Sequence, residues 1–131
     1  MDILNFALMC GVIGVAYGLF TTTWVLKQDP GSPRMQEISA AVQEGAGAFL
    51  NRQYKAVAMV GGVLFILLFG LGKYTAIGFL IGAVGSALCG YIGMYVAVRA
   101  NTRTAQAAFT SIAHALSVAF KGGSVTGLLV V

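Results

Sequence analysis

The chain has 131 residues, 58% of them hydrophobic and only 9% charged. Soluble domains carry about 25% charged residues, so this balance excludes an ordinary water-soluble protein and points to a chain solvated by lipid. Eight Lys and Arg against four Asp and Glu give a net charge of +4. These charges stand in short stretches between apolar runs, as in the loops of a membrane protein, which argues against a nucleic-acid partner.

The first apolar run is Ile3 to Leu26, interrupted by Asn5 near its start and by Thr21, Thr22 and Thr23 near its end. As a helix, 3–26 reaches about 36 Å, enough to cross a hydrocarbon core of about 30 Å with some tilt. Asp2 stands where a signal peptide has basic residues, and no small-residue cleavage site follows, so the run reads as an uncleaved first span. Trp24 suits the cytoplasmic interface. Gln28-Asp29-Pro30-Gly31-Ser32-Pro33 then breaks the helix.

A second helix starts where Ser32 can cap and Pro33 takes the first helical position. Met35, Ile38, Val42, Ala46 and Phe49 recur at helical spacing, and Glu37, Glu44 and Asn51 repeat on another face with Gln43, Arg52 and Lys55 nearby. Residues 33–55 therefore read as an amphipathic helix, at the membrane surface or packed on the protein. It runs without a breaker into a second span, about 56–71. Gly72-Lys73-Tyr74 is a minimal turn, and a third span, 75–98, completes a tight antiparallel hairpin.

Along the third span Gly78, Gly82, Ser86, Gly90 and Gly93 form a small-residue stripe, widened by Gly85 and Cys89, that predicts close helix packing. Cys10 and Cys89 lie inside apolar runs and read as small packing residues. After Arg99, Asn101-Thr102 is expected to cap a further amphipathic helix over 103–121. Its apolar face carries Ala105, Ala108, Phe109, Ile112, Leu116, Ala119 and Phe120; Arg103, Gln106, Thr110, His114, Ser117 and Lys121 form the other. Gly122-Gly123 is expected to stop it. A fourth apolar run opens near Ser124, and the chain stops within it, so a continuation is expected.

The basic residues sort by side. Lys27, Arg34, Arg52 and Lys55 fall between spans one and two, and Arg99, Arg103 and Lys121 after span three, whereas the hairpin tip holds only Lys73. The positive-inside rule places 27–55 and 99–123 in the cytoplasm and the N-terminus outside.

No span carries Asp, Glu, Lys, Arg or His in its interior, which argues against an ion-carrying rotor subunit and against an ion pathway through these helices. His114 has no ligand company and reads as a surface residue; Glu37 and Glu44 stand two turns apart on a hydrated face. Gly45-Ala46-Gly47 and Gly122-Gly123-Ser124 lack the strand context and spacing of phosphate loops. No carboxylate cluster suited to Mg²⁺ occurs, so no catalytic, cofactor-binding or metal-binding residue is assigned.

Two stretches, ISAAVQEGAGAFLNRQY at Ile38–Tyr54 and ANTRTAQAAFTSIAHALSVAFKGGSVTGL at Ala100–Leu128 after GYIGMYVAVR, resemble the membrane-embedded pyrophosphatases in order, spacing and expected side. The resemblance leads one to expect a larger apolar residue in many relatives where this chain has Thr126. The resemblance implies an all-α, multi-span N-terminal fragment of a pump that hydrolyses pyrophosphate at the cytoplasmic face and drives H⁺, or in some members Na⁺, outward. It implies a homodimer in the cell (inner) membrane or an acidic vesicle membrane, with Mg²⁺ held by later helices and these early helices serving as scaffold around them. Alternatives are a small non-enzymatic membrane subunit and the N-terminal segment of a secondary transporter.

Overall fold

The computed structural model describes residues 2–130, which form four helices: α1 (Ile3–Leu26), α2 (Pro33–Leu71), α3 (Lys73–Ala108) and α4 (Ile112–Val130). All four are long and apolar enough to cross a membrane. The fold class is all-α and multi-span, as read from composition and periodicity.

The α1–α2 connection is built from local polar bonds. Asp29 Oδ1 accepts from the Gly31 N–H at 2.8 Å, and Gly31 turns at φ +87°, where a Cβ would be strained and would also meet Met35 Sδ at 2.8 Å. Ser32 Oγ then accepts from the Met35 N–H at 3.3 Å, with Pro33 opening the helix. At the other end of α2 a single residue, Gly72 at φ +157°, reverses the chain into α3.

Paired contacts give the register. Tyr54 Oη donates to the Ala87 carbonyl at 2.7 Å, and Met35, Ile38, Ser39 and Val42 line a shallow groove with Val98, Asn101, Thr102 and Ala105, so α2 lies antiparallel along α3. Helix α4 is also antiparallel to α3: Gly122 meets Ala100, Gly93 meets Thr126, and Cys89 Sγ reaches the Leu129 carbonyl at 2.9 Å. Helix α1 packs on α4 and α3, with Gly14 and Gly18 against Leu128 and Leu129. The buried cluster Val25, Val96, Ala100 and Val125, flanked by Trp24 and Leu129, joins these three helices. Packing is closest on α3 and α4. A Cβ at Gly93 would lie 2.8 Å from Thr126 Cγ2, and one at Gly122 would lie 2.9 Å from Ala100 Cβ.

Several boundaries differ from the sequence expectation. Asn101-Thr102 caps nothing, because α3 continues to Ala108; no proline or glycine between Gly93 and Gly122 compels a stop there. The break comes at 109–111, where Phe109 and Thr110 donate to the Gln106 and Ala107 carbonyls and Ser111 Oγ accepts from the His114 N–H. Gly122-Gly123 does not stop α4, which runs through to Val130; Gly122 is there to let α3 approach. The helix expected over 103–121 is thus divided between α3 and α4, and the apolar part of α4 is continuous with it.

Facing also differs. The predicted apolar stripe of that segment is exposed, with Phe109 80%, Ile112 85% and Phe120 73% accessible, while Ala107, Val118 and Gly122 point inward. On α2 Ser39 and Leu50 are buried, whereas Ile38, Val42 and Phe49 are exposed. Cys10 is exposed instead of packed. Of the glycine stripe only Gly90 and Gly93 meet another helix; at Gly78, Gly82 and Gly85 a Cβ would meet nothing.

The register fixes which residues share a membrane level. The 18 residues from Tyr54 to Leu71 rise about 27 Å, and the 15 from Lys73 to Ala87 about 22 Å. With a core of about 30 Å, Tyr54 and Ala87 lie near the surface opposite the hairpin tip. Beyond about residue 92 one face of α3, with Gly93, Val96 and Ala100, packs under α1 and α4, while Tyr95 stays exposed.

Gly93→Ala is expected to destabilise the α3–α4 crossing by about 1–3 kcal/mol, because Thr126 is branched and has little room to yield. Gly78→Ala, in open space, is expected to be neutral or to stabilise by up to about 1 kcal/mol. Helix melting of the two variants in detergent, followed by circular dichroism, compares them; equal melting would contradict the close crossing.

Candidate functional site

A polar constellation lies where α1 ends between α3 and α4. A helix C-terminus leaves its last carbonyls without intrahelical partners and carries partial negative charge. Here both needs are met from other helices. Arg103 Nη2 donates to the Leu26 carbonyl at 3.1 Å, and its Nη1 donates to the Arg99 carbonyl at 2.8 Å. Lys121 Nζ from α4 sits 3.6 Å from the centroid of the Trp24 ring, a cation–π contact.

Further bonds extend this junction. Gln28 Nε2 donates to the Trp24 carbonyl at 3.2 Å, and Gln106 Nε2 donates to Asp29 Oδ2 at 3.4 Å. Arg99 stacks on Tyr95, its Cζ 3.5 Å from the ring centroid. Arg103 Nε is buried without a hydrogen-bond partner. Burial, and then the neighbouring Arg99 charge, lower the Arg103 pKa below the usual guanidinium value.

The junction is cationic and has no nucleophile–base pair or cation-binding carboxylate set. Among the described residues no three His, Cys, Asp or Glu gather to hold a metal. Glu37 pairs with Arg34 at 2.6 Å on an exposed surface, and Glu44 and His114 are exposed. Gly45 and Gly47 lie inside α2 with open space around them, and Gly122 serves packing. The arrangement can tie α1 to α3 and α4; it offers no group that would attack or protonate a phosphate.

Sequence reasoning did not identify this junction. It placed Arg103 and Lys121 together on a solvated face, whereas both are partly buried against α1. The available signal was that the polar face of 103–121 holds its only two long cations there, while α1 ends in an unaccompanied Trp24-Val25-Leu26. Thr126 also has a structural place, since its side chain fills the space that Gly93 leaves.

Trp24 is the only tryptophan, so its fluorescence reports the junction. Lys121→Ala is expected to shift Trp24 emission and lower stability by about 0.5–2 kcal/mol, while Arg34→Ala, on the exposed surface, should change neither. Unchanged emission in Lys121→Ala would contradict the contact.

A family model described as inorganic H⁺ pyrophosphatase matches residues 12–131. The chain is 51% identical over 122 residues to a K(+)-insensitive pyrophosphate-energized proton pump 2 of Moorella thermoacetica, covering 92% of this chain and 18% of that protein. It is 44% identical to a K(+)-insensitive pyrophosphate-energized proton pump of Methanosarcina mazei, covering 94% of this chain and 19% of that protein. A putative K(+)-stimulated pyrophosphate-energized sodium pump of Clostridium tetani is 40% identical, over 94% of this chain and 18% of that protein. The chain thus spans less than a fifth of the length of these curated relatives. With a matched region that takes in all of α2, α3 and the described part of α4, this chain belongs to the inorganic H⁺ pyrophosphatase family.

Proposed function

We propose that this chain is the N-terminal scaffold of a membrane pump that couples hydrolysis of pyrophosphate at the cytoplasmic face to outward transport of H⁺ or Na⁺. The observation that carries this reading is the 40–51% identity to pyrophosphate-energized pumps over more than nine-tenths of the chain. Transport of H⁺ is the first choice, because the two proton pumps match more closely than the sodium pump does.

Phosphoryl chemistry of this kind uses a divalent cation, Mg²⁺, to neutralise charge and activate water. The residues here do not fit that ion: Asp2, Asp29, Glu37 and Glu44 are dispersed, and Asp29 and Glu37 have other partners. The catalytic groups therefore belong to other helices of the pump, and no step is assigned to this chain. Its part is mechanical: a close α3–α4 pair with α1 tied to it and a long α2 alongside. The exposed Phe109, Ile112, Leu116 and Phe120 are faces for the remaining helices of the same chain, and a homodimer is the assembly we expect.

The sorting of Lys and Arg supports an N-terminus outside and the α1–α2 and α3–α4 connections in the cytoplasm of a cell (inner) membrane.

The reading is tested with inverted membrane vesicles containing the full-length protein. Added pyrophosphate should acidify the lumen, or load it with Na⁺, and a cysteine at Lys73 should react with an impermeant reagent only from the lumen. Pyrophosphate that is neither hydrolysed nor able to drive ion uptake would overturn the pump; labelling of position 73 from the bath would overturn the orientation.

A further inference from the structure

The junction at the end of α1 gathers positive charge that its own residues do not offset. Arg103 is partly buried, and both of its Nη groups are spent on backbone carbonyls, those of Leu26 and Arg99. Carbonyls satisfy hydrogen bonds but bring no net charge. Arg99, one turn away on α3, adds a like charge, and burial and that charge both act against the Arg103 cation. Lys121 is also partly buried and rests on the Trp24 ring. Asp29, the carboxylate of this region, is engaged at both oxygens, by the Gly31 N–H and by Gln106 Nε2. Among the described residues the one ion pair is elsewhere, between Arg34 and Glu37. Partly buried charges are as a rule paired, because their desolvation is otherwise left uncompensated.

We propose that this cationic junction is the docking surface for an Asp or Glu side chain from a segment of the full-length protein outside residues 1–131. The carboxylate pairs with Lys121 and lies in the field of Arg103 and Arg99. Three observations select this occupant. The cations come from two helices and converge on one helix end, where Trp24 and the Leu26 carbonyl already hold Lys121 and Arg103 in place, so little ordering remains to be done on pairing. By the register at Tyr54 and Ala87, Arg103 lies about 24 Å of helix beyond the membrane surface, out of reach of lipid phosphates. This chain also spans less than a fifth of its curated relatives, so most of the protein that could supply the counter-charge lies outside it. The proposal rests on the reading of the chain as part of a longer pump, but not on catalysis.

The test treats the full-length protein with a water-soluble carbodiimide, which joins an amine to a carboxylate in contact with it, with loss of water. Peptide mass spectrometry of the band at monomer mass should find Lys121 linked to an Asp or Glu outside residues 1–131. Lys121→Arg, which keeps the cation but offers no amine to couple, should lose that link. Changing the linked carboxylate to Lys together with Lys121→Glu should then recover the melting temperature that either change alone lowers. Lys121 recovered unlinked, or linked within residues 1–131, would overturn the proposal and leave solvent or a free anion as its neighbour. A link found only at twice the monomer mass would overturn it in favour of a second copy, and a swapped pair that recovers nothing would reduce the link to a chance encounter. Pyrophosphate-driven ion uptake by the same preparation reports separately on the pump reading.

Discussion

The close approach of α3 and α4 is the contact on which the rest of this structure depends. Gly93 and Gly122 remove the two Cβ atoms that would hold the pair apart, and Thr126 and Ala100 occupy the space released. Val96, Ala100 and Val125 then form one surface, and Val25 of α1 completes it. The polar contacts follow the same geometry. Arg103 reaches the end of α1 because α1 packs where α3 and α4 meet, and Lys121 covers Trp24 from the other side.

A second consequence concerns length. Helices α2 and α3 have 39 and 36 residues, nearly twice what a bilayer requires. Their register places Tyr54 beside Ala87, so each helix continues well past the membrane surface as part of a packed bundle. The long apolar run of α3 therefore changes along its length: near the hairpin tip its glycines meet no neighbour, and beyond it one face packs against α1 and α4. Open space at Gly78, Gly82 and Gly85 contrasts with contact at Gly90 and Gly93, which marks that change along a single helix.

Much of the fold could be read from the sequence because lipid solvation leaves strong signals. The span of α1, the Ser32-Pro33 start of α2 and its unbroken passage into an apolar run all follow from local chemistry, as does the turn read at Gly72-Lys73-Tyr74, which the structure narrows to Gly72 alone. The cap at Asn101-Thr102 and the stop at Gly122-Gly123 were misread for one reason. Polar or glycine residues inside a helix resemble ends when the partner helix is unknown, and here Gly122 faces Ala100 while Arg103 faces the end of α1. The junction itself was invisible because its bonds join residues 77 apart in the chain, through a backbone carbonyl that has no sequence signature. The helical spacing of Phe109, Ile112 and Leu116 likewise indicates an apolar face but not what covers it.

The central claim is that the membrane surface crosses α2 near Tyr54 and that the helix continues beyond it in water. Nitroxide labels placed at Gly45, Lys55 and Gly62 in bilayer-reconstituted protein would test this, since side chains at both glycines have open space. The account predicts that the label at 45 is reached by a water-soluble paramagnetic reagent, the label at 62 by dissolved oxygen in the lipid, and the label at 55 about equally by both. A label at 45 shielded from the aqueous reagent and open to oxygen would contradict it, because α2 would then lie in lipid along the stretch assigned here to water.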